Sequence, residues 1–363
     1  MTDTSVFQTA NEGESQQTGP LPFSFSGTGS EYFRIWIVNL LLSIVTLGIY
    51  SAWAKVRRLK YFYGNTTVAN SSFEYHGNPV AILKGRFVAV VLIIAYNLAV
   101  KSSGIVALVM IVAVAFAMPW LVWKSLQFKL YNSSYRGIRF GFRGSLKQAY
   151  IVYLLLPLLS GISFFLAAPF AHQRLKRFQH QESRFGATHF SFDATVGAFY
   201  KRYLMFFAIW LAGFIVIALL FGGALFSLIM GGGMNRDAAG TAGTFTVFAF
   251  VFAMYVWMFL VFPIFATLIQ NLIWNNTRLG LHHFQSDMKW SRVSFIAITN
   301  IIGIICTLGL FLPFAQIRYM KYRVEAMTLI PDGNLDNFVA ATQAQAGATG
   351  EGLTDLLDFD LSL

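Results

Sequence analysis

Charge is what this 363-residue sequence has least of. Asp, Glu, Lys and Arg make up 12% of it and apolar residues 56%, against roughly 25% charged residues in soluble domains. No soluble fold covers that much apolar surface with so few charges, so a soluble enzyme and a disordered chain are excluded. There is one cysteine, Cys306, which excludes an intramolecular disulfide and hence a disulfide scaffold. Lying in an apolar run, Cys306 reads as a small buried hydrophobe. Residues 1–20 hold no Lys or Arg and no apolar stretch, so no secretory signal is expected and they read as a disordered N-terminal tail.

Acidic residues are scarcest where the chain is most apolar. Of the 16, seven lie in residues 325–363 and three in 1–22, two stretches without a single Lys or Arg. The middle of the chain sets six acids against all 27 basic residues, a net charge of +21 where the whole chain has +11. None of the acids lies in a long apolar segment, and ion-coupled carriers commonly place one there. Coupled transport is therefore not favoured. No phosphate-binding loop, nucleophile elbow or His-Glu-x-x-His occurs, so neither an enzyme nor a cofactor is expected.

Seven stretches approach the roughly 20 residues of a membrane-crossing helix: 32–53, 87–100, 104–123, 149–171, 203–230, 244–273 and 292–317. The second reaches full length only if Ala81 to Leu83 join it past Lys84 and Arg86. Pro119 and Pro263 imply kinks. Between the segments run aromatic alternations such as Phe23-Ser-Phe25-Ser-Gly27, Phe73-Glu-Tyr75-His-Gly77, Phe140-Gly-Phe142-Arg-Gly144 and Phe190-Ser-Phe192. Their period of two predicts short strands, with the glycine expected in a tight turn.

Self-comparison gives a repeat. An offset of 117 carries Phe23, Phe25 and Gly27 onto Phe140, Phe142 and Gly144, and Arg57 and Lys60 onto Arg174 and Arg177. A further 144 carries the last pair onto Arg318 and Lys321, and Asn39 and Asn300 also coincide. The expected organisation is a tail (1–20), repeat unit one (21–139), unit two (140–277), half a third unit (278–331) and an acidic flexible C-terminal tail (332–363). The fold class is an all-α polytopic membrane protein with internal repeats and short cytoplasmic strands.

Lys and Arg collect on cytoplasmic flanks. If segments one, four and seven dip in and return, only Lys101 and Arg236 lie outside, so four helices cross and three re-enter. Seven crossings, the alternative, leave eleven basic residues on the wrong face. Because equivalent exits share one charge bias, the units are parallel rather than inverted.

Three basic exits form the candidate site. Arg57/Lys60, Arg174/Arg177 and Arg318/Lys321 are spaced i,i+3, hence on one helix face each, and suit anionic headgroups or another anionic ligand. Asn39, Asn97 and Asn300 are candidate intramembrane polar contacts. The six histidines fall in loops, and His282-His283 lacks further ligands at metal spacing, so no metal site is expected. The partners expected are the bilayer and its anionic headgroups. No nucleic acid is expected, since no strand-reading motif accompanies the charge.

Phe23 to Gly27, Glu31-Tyr-Phe-Arg-Ile-Trp36, Thr46-Leu-Gly-Ile49, Trp53-Ala-Lys-Val-Arg57, Tyr61-Phe-Tyr63 and Phe73 to Gly77 together resemble the YjgN-like family of bacterial inner-membrane proteins. The resemblance covers roughly residues 20–330 and implies a multi-pass protein of the bacterial inner membrane, with no established activity to carry across. The functions expected are uncoupled transport or handling of anionic lipids or solutes. The alternative is a structural or regulatory scaffold that binds partners on its cytoplasmic face.

Overall fold

The computed structural model describes residues 19–230 and 236–348. The aromatic alternations are strands, as their period predicts. In chain order they are β1 (Leu21–Pro22), β2 (Ser24–Phe25), β3 (Thr66–Val68), β4 (Ser71–Tyr75), β5 (Ser133–Tyr135), β6 (Ile138–Phe142), β7 (Ser183–Phe185), β8 (Thr188–Phe192), β9 (Thr277–Leu279), β10 (His282–Ser286) and β11 (Met327–Ile330). Four three-plus-five-residue hairpins lie side by side, all pairings antiparallel. The stretch Leu21–Phe25 pairs at both ends of the row: Leu21 faces Leu329 of β11 and Phe25 faces Thr66 of β3. The sheet thus closes on itself, which an all-α class does not include.

Closure gathers five phenylalanines from distant parts of the chain. Phe23, Phe73, Phe140, Phe190 and Phe284 form a ring with neighbouring centroids 6.2–6.5 Å apart, stacked at four of the contacts and tilted by 37° between Phe284 and Phe23. They are partly buried around a core of Val68, Tyr135, Phe185, Leu279 and Leu329.

The glycine of each aromatic motif does not make the hairpin turn. Those turns fall at Ala69-Asn70, Arg136-Gly137, Gly186-Ala187 and Gly280-Leu281. Gly27 and Gly144 instead follow the strand, where a Cβ would lie 2.8 Å from the rings of Phe25 and Phe142 respectively. The small residue lets the aromatic two positions earlier fold back over the backbone.

Eleven of the helices lie in the segments between strands: α1 (Gly29–Val45), α2 (Ser51–Gly64), α3 (Pro79–Ser102), α4 (Gly104–Tyr131), α5 (Leu146–Tyr150), α6 (Leu156–Ile162), α7 (Ala168–Gln181), α8 (Val196–Met230), α9 (Arg236–Trp274), α10 (Trp290–Cys306) and α11 (Leu312–Glu325). A π-helical turn, Ile151–Leu155, joins α5 to α6. Each helix packs on the next along the chain and α11 packs on α1, so the helices also close a ring. Pro119 and Pro263 sit inside continuous α4 and α9, and Ala81 to Leu83 do extend the second segment.

Among the described residues, four helices are long and apolar enough to cross a membrane: α3, α4, α8 over Val196–Ser227 and α9 over Gly243–Trp274, with mean hydropathies of 1.9, 2.7, 2.8 and 2.4. Little of these stretches is covered by protein. This is a helical membrane protein.

The other three apolar segments are broken, and each break is wired alike. Gly48 N donates to Ser43 O and Leu47 N to Ile44 O, the paired bonds of a Schellman stop. The same two bonds join Phe165 to Ser160 and Phe164 to Gly161, and again Gly309 to Ile304 and Leu308 to Ile305. Leu47, Phe164, Phe165 and Leu308 take the left-handed conformation, as do Gly48 and Gly309. A hydroxyl completes each break: Thr46 donates to Leu42 O and accepts from Tyr50 N, Thr307 does so between Gly303 O and Phe311 N, and Ser163 between Ser160 O and Ala167 N. Backbone groups at the three tips are thereby satisfied internally, while Leu47 and Leu308 are each 95% exposed.

A last helix, α12 (Leu335–Ala348), forms within the stretch that composition assigns to a flexible tail. The side-chain oxygen of Asn334 caps its start, accepting from Asp336 N and Asn337 N. Leu335, Phe338 and Val339 of α12 close the turn end of the barrel. Residues 349–363 and the tail 1–18 lie outside the described residues.

Candidate functional site

The helices α2, α4, α7 and α9 enter their strands with a common signature. Thr66, Ser133, Ser183 and Thr277 donate to the carbonyls of Phe62, Lys129, Gln179 and Ile273 at 2.6–2.8 Å. The bond fixes where each helix ends and so sets the height of the side chains beneath the barrel. Lys129 and Gln179 stand at one level, and Lys176 reaches Gln179 Oε1 at 3.2 Å. On α11, Arg323 donates to Gln270 Oε1 of α9 at 3.4 Å.

Charges from several of these helices influence one another. Lys129 lies within electrostatic reach of Lys55 and Lys176, Arg86 of Lys55, and Arg323 of Lys176. Three helices lie between α7 and α11 in chain order, so Lys176 and Arg323 are brought together from separate parts of the chain. Burial holds the Lys176 ammonium below its ordinary pKa, with Arg323 and Lys129 adding to the effect. Lys55 is lowered the same way, by partial burial and then by Arg86 and Lys129. Among the described residues none of the five cations forms an ion pair with a carboxylate. The amide Nε2 of Gln270, beside Arg323, is a buried donor without a partner, a costly state for a polar group. An anion placed among these groups would relieve both the repulsion and the orphaned donor.

The residues singled out from sequence lie on the same helices. Arg57 and Lys60 on α2 are exposed, with Arg57 donating to the Tyr50 hydroxyl at 3.3 Å. Arg174 lies over the Phe170 ring at 5.1 Å, and Arg177 donates to Gln181 at 3.0 Å. Arg318 donates to Asn300 Oδ1 at 2.8 Å and Thr299 Oγ1 at 3.1 Å, and Lys321 pairs with Glu325 at 3.8 Å. Asn300 also donates to Ala315 O, bracing α10 on α11. Asn39 is buried with an unpartnered Oδ1. Asn97 donates to Ile93 O of its own helix. The structure thus joins Asn300 to Arg318, and it brings together five cations of which the i,i+3 rule selects none. The signal that finds Lys129 is its place four residues before the serine that begins a strand.

His76 lies in a loop as expected, and the other five histidines do not. His172 and His180 lie on α7, His189 on β8, and His282 and His283 on β10. Cys306, expected to be buried, is exposed at the end of α10. Burial pushes His172 and His180 down to about 4, with Lys176 adding to it. Thr277 Oγ1 gives its proton to Ile273 O, so it accepts from Nδ1–H of a neutral His180 at 3.2 Å. Below the unfolded value near 6.5, the unfolded chain takes up a proton that the folded chain refuses. Stability therefore falls as pH drops from about 6.5 towards 4. At pH 5 the cost through His180 is about 2 kcal/mol. Thermal melts from pH 7 to 5 should show that loss, and His180→Asn should flatten the slope.

Comparison with known proteins adds lineage. The family model described as "Bacterial protein of unknown function (DUF898)" matches residues 20–356. The inner membrane protein YjgN of Salmonella typhimurium is 30% identical over 143 residues, 39% of this chain and 36% of that protein. YjgN of Escherichia coli O157:H7 is 31% identical over 155 residues, 41% and 39% of the two chains. YjgN of Escherichia coli K12 is 32% identical over 146 residues, 39% and 35%. The chain thus spans little more than a third of the length of these curated relatives. No solved structure matches. With four apolar helices of crossing length and a family match over most of its residues, the chain belongs to the DUF898 family and is a YjgN-like protein of the bacterial inner membrane.

Proposed function

We propose that the protein binds and passes a phosphate-bearing anion, either a lipid headgroup or a free solute, at the centre of its helix ring. The observation that carries this reading is the group Lys55, Arg86, Lys129, Lys176 and Arg323, cations from five helices that lie within electrostatic reach of one another in a chain of pairs, without a carboxylate partner among the described residues. Lys55 and Lys129 are exposed, so a ligand can reach them. Uncoupled movement fits a chain whose acids all lie outside its long apolar segments.

In this reading α1/α2, α5 to α7 and α10/α11 are re-entrant dips. Internally satisfied backbone at their apolar tips supports it, since each unsatisfied backbone polar group in hydrocarbon costs several kcal/mol. The matching hydrogen bonds at the three tips support a repeat of two and a half parallel units. The basic loops and the barrel then share the cytoplasmic face. Arg57, Lys60, Arg174, Arg177, Arg318 and Lys321 serve at headgroup level around the rim, and Asn39 and Asn300 as contacts within the dips.

Two experiments test this. In vesicles of phosphatidylethanolamine, inorganic phosphate should raise the melting temperature of the full-length protein, as should added phosphatidylglycerol if the ligand is a headgroup. The triple variant Lys55→Gln, Lys129→Gln, Lys176→Gln should fold at least as stably without anion and lose that rise. A rise equal to wild type overturns the site. For topology, cysteines at Ser30 and His189 in a Cys306→Ser background should resist an impermeant thiol reagent added outside the cell. Labelling at His189 would overturn the dips.

A further inference from the structure

The barrel holds a partly open cavity of about 180 Å³ whose wall presents only apolar atoms. Phe73, Phe140, Phe190 and Phe284 line its sides, and Leu335 and Phe338 of α12 close it. Two polar groups of the lining residues are engaged elsewhere: the Tyr135 hydroxyl donates to Val68 O at 2.8 Å, and His282 Nδ1 accepts from Asp332 N at 3.1 Å. A dry void of about 150 Å³ lined by such residues is large enough to take benzene. Close-packed interiors hold few voids larger than a water molecule.

We propose that the barrel lumen binds an uncharged apolar group, an aromatic ring or the end of an acyl chain, and that α12 is the door. The class of ligand follows from the wall, which offers a polar or charged group no hydrogen-bond partner and so would exact its full desolvation cost. The door follows from the way α12 is held. Its packing residues are the lid itself, and its charged tie is Asp336 to Arg136, at 2.5 Å. Arg136 is fixed independently by Ala69 O at 2.8 Å and Ser71 Oγ at 2.9 Å, so α12 can leave without disturbing the hairpins. This site is separate from the cationic centre and does not depend on it.

Trp274 lines the cavity, its ring 5.4 Å from that of Phe284, and reports on occupancy. Full-length protein in vesicles of phosphatidylethanolamine and phosphatidylglycerol is titrated with bromobenzene, and in parallel is placed in vesicles whose phosphatidylglycerol is brominated at the ends of its chains. The expected result is a quenched emission component that Trp274→Phe abolishes. Val68→Phe, which fills the lumen from the wall, and Leu335→Phe, which fills it from the lid, should each cut that component at least fivefold. Quenching by bromobenzene alone assigns the site to free apolar solutes, and quenching by the brominated chains assigns it to lipid tails. Asp336→Asn should speed onset of bromobenzene quenching several-fold. No component dependent on Trp274, or equal quenching in both filled variants and wild type, overturns the site, and an unchanged onset in Asp336→Asn overturns the door.

Discussion

A carboxylate at Leu308 is expected to be among the most damaging single substitutions in this protein, although its side chain is 95% exposed. In a water-facing turn such a change is close to neutral. At the tip of a membrane dip it places a charge in hydrocarbon, at about 2.5–3.5 kcal/mol for a central position. Leu47→Asp and Phe164→Asp should act alike, and the three together should remove roughly 8 kcal/mol, comparable with the whole stability of many domains. The measurement is the amount of membrane-integrated protein recovered from expressing cells. Leu281→Asp is the control, because Leu281 is also apolar and exposed (68%) but sits at a hairpin turn of the barrel. If Leu281→Asp and Leu308→Asp are recovered equally, the tips do not enter lipid.

Phe185→Ala should cost about 3–5 kcal/mol, the range for deleting a buried aromatic side chain. Phe185 is 2% exposed and touches the rings of Tyr135, Phe140 and Phe338, with centroids 5.1–6.4 Å away. It therefore joins three separate elements: the β5 strand, the phenylalanine ring and α12. Its loss also enlarges an existing cavity, and the cost of a void rises by about 24 cal/mol per Å³. The cavity already present, at about 180 Å³, corresponds to about 4 kcal/mol on that scale. A melt in detergent should show a fall of about 10 °C. Phe185→Leu, which keeps most of the volume, should lose less than half as much.

Local pattern made much of this fold readable. The alternation around Phe73 and Phe140 gave the strands, and run length gave the crossing helices. What escaped reading depends on contacts between residues far apart. Nothing near Phe23 says that Leu21 will pair with Leu329, so the barrel and its phenylalanine ring were out of reach of any local rule. The motif glycines were misplaced because their reason is a ring folding back from two residues earlier rather than a turn. At the basic exits, i,i+3 spacing selected Arg57 with Lys60 and Arg174 with Arg177, one helix at a time. The cationic centre needs Lys129 from α4 and Arg323 from α11 in one place, and only the ring of helices supplies that. His180, expected in a loop, lies on α7 and packs against Phe192 and Trp274, which arrive from elsewhere in the chain.

The seam between Leu21–Phe25 and β11 has a consequence for biogenesis. Its two sides are about 300 residues apart, so a ribosome must make all of the intervening sequence before the barrel can shut. Until Met327–Ile330 emerge, β10 and β1 each present an unpaired edge, the kind of edge that recruits other chains. Leu21–Pro22 must wait for Met327–Ile330, and the four long apolar helices among the described residues are inserted in between. A nascent chain stalled before β11 is therefore fully threaded into the bilayer while its barrel still gapes, and this interval is when quality control has an open strand edge to recognise.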